Sequence, residues 1–352
     1  MTKFDRYKYQ HQHQYKHKHQ YQHQYFIIFG LLVIAAFVIS LRVGRYPLST
    51  HEIIAIIFGR VGDFNVSPMA QNVFLTLRLP RVVMALIAGA GLSLAGSVFQ
   101  LVFKNPLASP DIIGAASGAN LGAAIAIITF GQSVTAMAFS AFLGSTLVVF
   151  LVVILAQLTR GNNTVTFILA GIIIKSISDA FIMLLKFFAD HESDLAAIEF
   201  WAMGSLSQIT ASRITAILPF FLTGFIGLII IRRHIAILGL EDEESRALGV
   251  PVKYVRVIVL ALGSLTVAAV ICLTGLIAFV GLIAPHVARL ALKRVSFSWC
   301  ILSSLTGAFI LLVADSLARG LTNFEIPISI LTTFIGVPIL LYFMHSRKAG
   351  KI

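Results

Sequence analysis

The sequence predicts an all-α, polytopic membrane protein with about ten transmembrane helices, and three observations carry that expectation. The first is composition: of 352 residues, 58% are hydrophobic and only 12% are charged, with a mean hydropathy of +0.90. A soluble domain carries about 25% charged residues, roughly twice that share. The second is the recurrence of apolar runs of the length that crosses a bilayer, about 20 residues for a helix. The third is the placement of the basic residues, which fall mainly between those runs. A formal net charge of +12 would otherwise suggest nucleic acid, but this distribution is a topology signal and gives no nucleic-acid face.

In chain order the candidate spans are Phe26–Leu41, Val82–Phe103, Ile112–Phe130, Val134–Leu158, Val165–Phe187, Ile214–Ile231, Tyr254–Thr274, Leu276–Leu292, Ser298–Leu317 and Ile328–Met344. The first is short, and Gly281 and Pro285 interrupt the eighth. An even number puts both termini on one side. Lys and Arg concentrate on that side, in the tail and at Lys104, Arg160, Arg232, Arg233, Arg246, Lys253 and Arg256 among others, so the positive-inside tendency makes it the cytoplasm.

Three divisions follow. Residues 1–25 form a His/Gln/Tyr/Lys-rich tail, too polar to bury a core and expected to be disordered. Residues 26–347 form the membrane domain, and 348–352 a short cytoplasmic tail. Alternating imidazoles in the first segment could ligate a transition metal, but a solvated basic tail accounts for them more simply. Cys272 and Cys300 lie among apolar neighbours and suggest neither a disulfide framework nor a metal site.

Three stretches stand out from the apolar background. Phe103–Ala119 is too long for a plain turn; Pro106 and Pro110 block a continuous helix through it. Its small residues from Gly114 to Ala119 then permit close helix packing in lipid. Lys175 and Asp179 lie within the fifth span at i, i+4, where they can meet and reduce each other's desolvation cost; a locally neutralised pair is expected rather than a proton relay. Four consecutive acids beginning at Glu241 mark a helix start, and Gly249 followed by Pro251 marks its stop. The segment Leu238–Val250 thus reads as a short cytoplasmic helix, and its apolar residues suggest a partner surface.

The chain resembles the FecCD/BtuC family of ABC importer permeases over most of Phe26–Arg347. The resemblance is carried by Leu77–Arg81 (LRLPR), Asn105–Gly114 (NPLASPDIIG), Trp201–Leu206 (WAMGSL) and Leu238–Val250. It continues through Phe279–Arg289 (FVGLIAPHVAR), Ala314–Arg319 (ADSLAR) and Glu325–Pro338, in that order. It implies a BtuC-like fold of ten helices in the bacterial cytoplasmic (inner) membrane. It also implies a second permease subunit, identical or paralogous, an ATP-binding subunit dimer, and a periplasmic or lipid-anchored substrate-binding protein. No cofactor is implied on the chain itself: ATP enters only through the partner ATPase, and the sequence holds no G-x-x-x-x-G-K-[ST] phosphate loop.

By the same resemblance, Arg78, Arg81 and Arg319 look like receptors for carboxylates of the binding protein. Leu238, Gly239, Leu240, Glu241, Asp242, Ser245, Ala247, Leu248 and Gly249 look like the element that couples to the ATPase. Asn105, Pro106 and Leu107, with Asn162, Asn163 and Thr164, occupy loops that form cytoplasmic gates in relatives. Ser245 stands where Ala is common and Ser329 where Gly is usual. The implied cargo is a ferric siderophore, with cobalamin or haem as alternatives. An ion-coupled secondary transporter using Lys175, Asp179 and Asp315 is the alternative of another class. An intramembrane enzyme built on His286 or Asp315 finds no H-E-x-x-H or G-x-S-x-G to support it.

Overall fold

The computed structural model describes residues 3–59, 66–159, 164–292, 296–322 and 324–348, and every regular element among them is helical. Ten apolar helices stand where the ten spans were expected, seven of them of at least 18 residues and three shorter. The long ones are α1 (Lys3–Arg42), α4 (Leu79–Val102), α6 (Val134–Leu158), α7 (Thr164–Phe188), α9 (Ala211–Ile230), α12 (Val252–Thr274) and α14 (Phe297–Gly320). The short ones are α5 (Ala115–Phe130), α13 (Val280–Leu292) and the apolar part, Ile328–Phe343, of α15 (Ile328–Lys348). Between them lie α2 (Thr50–Ile57), α3 (Pro68–Asn72), α8 (Asp194–Ala202), α10 (Arg232–Leu238) and α11 (Asp242–Ala247).

The polar tail continues α1 back to Lys3 as helical backbone. It contains neither Gly nor Pro between Lys3 and Tyr25, so nothing in it stops a helix from propagating off the apolar segment. Two span boundaries are corrected. The second span is longer than Val82–Phe103: α3 and a π-helical turn, Val73–Arg78, lead straight into α4. Pro80 has no N–H to give the carbonyl four residues earlier, which accounts for the widened turn before it. The eighth span is shorter than Leu276–Leu292, because Gly275–Phe279 is not helical and α13 begins only at Val280.

Burial ranks the helices: 78% of the α4 span lies inside the protein, against 22% of that of α7. The core forms where α4 meets α13 and α14 by backbone contact. A Cβ on Gly96 would stand 1.9 Å from the Gly281 carbonyl oxygen, and one on Gly89 2.3 Å from that of Gly307. Hydroxyls bridge the same seam: Ser304 donates to the Ala90 carbonyl at 3.1 Å and Ser93 to that of Val280 at 3.3 Å. In lipid, where apolar side chains gain little by leaving acyl chains for one another, such close packing and interhelical hydrogen bonds hold helices together. The small residues after Gly114 work alike, since a Cβ on Gly118 would stand 2.5 Å from the Gly144 carbonyl and one on Gly122 2.0 Å from that of Ser140.

The irregular stretches are also satisfied internally, as membrane depth requires. Ser329 donates to the Leu276 carbonyl at 2.7 Å and accepts from the Ala278 N–H at 3.1 Å. A glycine there could do neither, so this departure from the family pattern supports the unwound segment. Gly204, at φ +71, passes so near that a Cβ would lie 2.3 Å from the Leu276 oxygen.

Gly96→Val drives a branched side chain into the α13 backbone and is expected to cost at least about 3 kcal/mol, the upper end of ordinary overpacking. Gly30→Val, on α1 with nothing within 4 Å, is the control. Thermal unfolding of the purified full chain should separate the two; equal midpoints would contradict the packing.

Candidate functional site

Charged groups gather at the two ends of this core. At one end Arg81, at the start of α4, donates from Nε to Asp315 Oδ1 of α14 at 2.7 Å. From Nη1 it reaches Glu325, in the loop before α15, at 2.5 Å. Arg319, one turn beyond Asp315, places Nη2 2.9 Å from Asp315 Oδ2, a close ionic contact rather than an aligned hydrogen bond. It also donates to the Val43 and Ser40 carbonyls and to Ser40 Oγ. Arg78 donates to the carbonyls of Leu41, Arg42 and Tyr46. Asp315 is wholly buried, and the three arginines are 4–8% exposed.

Arg78, Arg81 and Arg319 do converge, as groups already held within the chain rather than as open ones. Their guanidinium groups are engaged by this chain's own carbonyls and carboxylates, tying the end of α1 and its following loop to α4 and α14. The physical reason is desolvation: a guanidinium buried this far is tolerated only with acceptors around it. Sequence spacing brought the three to one end but could not reveal Ser40, Val43 and Glu325 as their partners. Pro285 and His286 pack in the core: Trp299 Nε1 donates to the Pro285 carbonyl at 2.8 Å, and the buried His286 ring meets Phe343 edge-on.

At the other end α11 is strapped beneath α4 and α12. Asp242, its first residue, takes both carboxylate oxygens to Nη2 of Arg256 on α12, at 2.8 and 3.0 Å. Lys104, just past the end of α4 at φ +49, reaches Glu241 at 3.2 Å and Asp242 at 3.5 Å. Burial acts to raise the Asp242 pKa, but hydrogen bonds and charge from Arg256, joined by Lys104, prevail and hold it below the usual carboxylate range. The strap therefore stays charged at neutral pH.

Within α11, Ser245 is buried and donates to the Ile237 carbonyl at 2.8 Å, so the serine found in place of alanine gains an anchor. Gly249, at φ +80, ends the helix as expected. Leu238 and Val250, expected on a partner surface, pack inward instead, whereas Leu240, Ala247 and Leu248 are exposed. Arg256, recognised from sequence only as a topology charge beside Lys253, is the missed residue; its partner Asp242 lies in a separate element, which no local pattern reveals.

The neighbouring loop folds on itself. Asn105 accepts from the Leu107 N–H at 2.9 Å through its side chain and from the Ala108 N–H at 3.0 Å through its carbonyl. This turn leaves Leu107 64% exposed, with Pro106 half-buried. Thr164 opens α7, while Asn162 and Asn163 lie outside the described residues. Midway along α7, Lys175 and Asp179 pair at 3.1 Å as expected, and Lys175 also donates to Ser117 of α5 at 3.1 Å. Their side chains remain 43% and 40% exposed.

Asp315→Ala leaves two buried guanidinium groups facing each other and is expected to cost about 3–5 kcal/mol. Glu325→Ala, at a partly open carboxylate, is expected to cost about 1 kcal/mol or less. Thermal unfolding of the two variants checks the order; an equal or reversed ranking would contradict the placement of the charge centre at Asp315.

Residues 31–346 match the model of the FecCD transport family. The chain is 36% identical over 92% of its length to the molybdate import system permease protein MolB of Haemophilus influenzae, covering 96% of that protein. It is 34% identical over 90% of its length to the ferric enterobactin transport system permease protein FepG of Escherichia coli, covering 96% of it. The fold is similar to that of a metal-chelate type ABC transporter solved in an inward-facing conformation, with a TM-score of 0.81, 34% identity, and coverage of 91% of this chain and 98% of that one. With the ten apolar helices already described, these matches place the chain in the FecCD transport family of ABC importer permeases.

Proposed function

We propose that the chain is the permease subunit of an importer that carries a ferric siderophore complex across the bacterial cytoplasmic membrane. ATP hydrolysis by a separate subunit pair drives it, a substrate-binding protein delivers the cargo, and a second permease subunit completes the path. The observation that carries this reading is the strap beneath the core. Exposed Leu240 and Leu248, which flank α11, together with exposed Leu107 offer an apolar surface to a partner. Lys104, Asp242 and Arg256 tie that surface to α4 and α12. A push on α11 is thereby delivered to the two helices at the centre of the bundle.

The open ion pair on α7 agrees with an assembled path. A charge at the centre of a bilayer costs about 2.5–3.5 kcal/mol on insertion scales, so Lys175 and Asp179 call for water or protein beside them rather than acyl chains. The likeness to the ferric enterobactin permease supports the siderophore cargo; the likeness to the molybdate permease makes molybdate the competing one.

Uptake of labelled ferric siderophores, molybdate, cobalamin and haem, in a strain lacking the gene and in the same strain complemented, tests the cargo. Loss and recovery of siderophore uptake alone is the expected result, and loss confined to another cargo would overturn it. In proteoliposomes of the assembled transporter, Lys104→Ala is expected to cut uptake about tenfold, within the ordinary range of coupling energies, while ATP hydrolysis continues. Proportional loss of both activities would contradict a coupling role.

A further inference from the structure

We propose that a cleft between α1, α9, α10 and α14 is a binding site for an anionic phospholipid. The cleft holds ≈ 400 Å³ and is lined by Phe26, Ile229, Arg232, Arg233, Ala236, Phe297, Ser298 and Ile301. Three features of those residues select the ligand. Arg232 and Arg233 stand together at the first turn of α10, both exposed. Neither has a hydrogen-bond or ion-pair partner among the described residues, and no acidic side chain lines the cleft. They contrast with Arg78, Arg81, Arg256 and Arg319, each of which donates to this chain's own acceptors.

The remaining walls are apolar and belong to the ends of membrane spans. Phe26 begins the apolar part of α1, Ile229 is next to last in α9, and Phe297 and Ile301 lie in the first turns of α14. All three ends lie on the side of the bundle that carries the N-terminal tail. The cleft thus sits where hydrocarbon gives way to headgroups, with two cations at the polar edge and aromatic and aliphatic surface below. A phosphodiester matches the guanidinium fork, and the attached acyl chains match the walls. Basic pockets between membrane helices on the cytoplasmic side hold anionic lipids by this chemistry. A soluble phosphate would satisfy the arginines but leave the apolar walls uncovered. This inference goes beyond the transport reading and needs only that the chain lie in a bilayer.

Native mass spectrometry of the full chain in detergent, titrated with dioleoylphosphatidylglycerol, dioleoylphosphatidylcholine or glycerol phosphate, tests it. The wild type is expected to retain the glycerolipid in preference to the choline lipid, and glycerol phosphate is not expected to displace it. Arg232→Gln/Arg233→Gln removes two surface cations and is expected to weaken retention about thirtyfold. Ile301→Trp fills the cleft without altering charge and is expected to weaken it as well, so the test survives a folding failure of the double variant. Equal retention by wild type and Ile301→Trp, no preference between the two lipids, or displacement by glycerol phosphate would each overturn the proposal. Siderophore uptake does not enter these readouts, so failure of the cargo assignment leaves them unaffected.

Discussion

The contact of α4 with α13 and α14 is the constraint on which the other arrangements depend. Gly96 against Gly281 and Gly89 against Gly307 leave no room for a Cβ, so these helices meet backbone to backbone rather than through a layer of side chains. A membrane interior supplies little hydrophobic reason for helices to associate, and close approach with hydroxyl bridges takes that role. The result is a stiff centre, buried on most sides, from which the looser α6 and α7 stand outward.

Each end of that centre is closed by charge. At one, the Asp315 carboxylate lies between two guanidinium groups and draws α1, α4 and α14 together. At the other, Asp242 joins α11 to α12 through Arg256 and to the end of α4 through Lys104. Buried ion pairs are weak contributors to net stability but expensive to break, which suits them to fixing which helix ends meet. The same core helix, α4, is held at both ends. Motion imposed on α11 therefore meets a connected body rather than a flexible linker.

Much of this was legible in the sequence. All ten spans were found because an apolar run of bilayer length has few other uses, and the i, i+4 pair of Lys175 and Asp179 formed as helix geometry requires. Gly249 closed α11 because a left-handed position selects glycine. What escaped notice shares a cause: it depended on contacts distant in sequence. Spacing brings the three arginines to one end but does not reveal that Ser40, Val43 and Glu325 reach them. Leu238 and Val250 looked like partner surface until the fold turned them inward. The helix α2 was missed although Ser49 and Glu52 form a reciprocal cap, with the serine N–H donating to the carboxylate at 2.8 Å; that signal was local and could have been read.

The central claim is that the exposed loop at Leu107 and the helix α11 move as one body because Lys104, Asp242 and Arg256 join them. The most direct measurement is the distance between spin labels at Leu107 and Leu248, taken in the assembled transporter with and without bound nucleotide. The account predicts one distance distribution in both states, and a broadened one once Lys104→Ala removes the tie. A distance that shifts on nucleotide binding in the unaltered chain would contradict it.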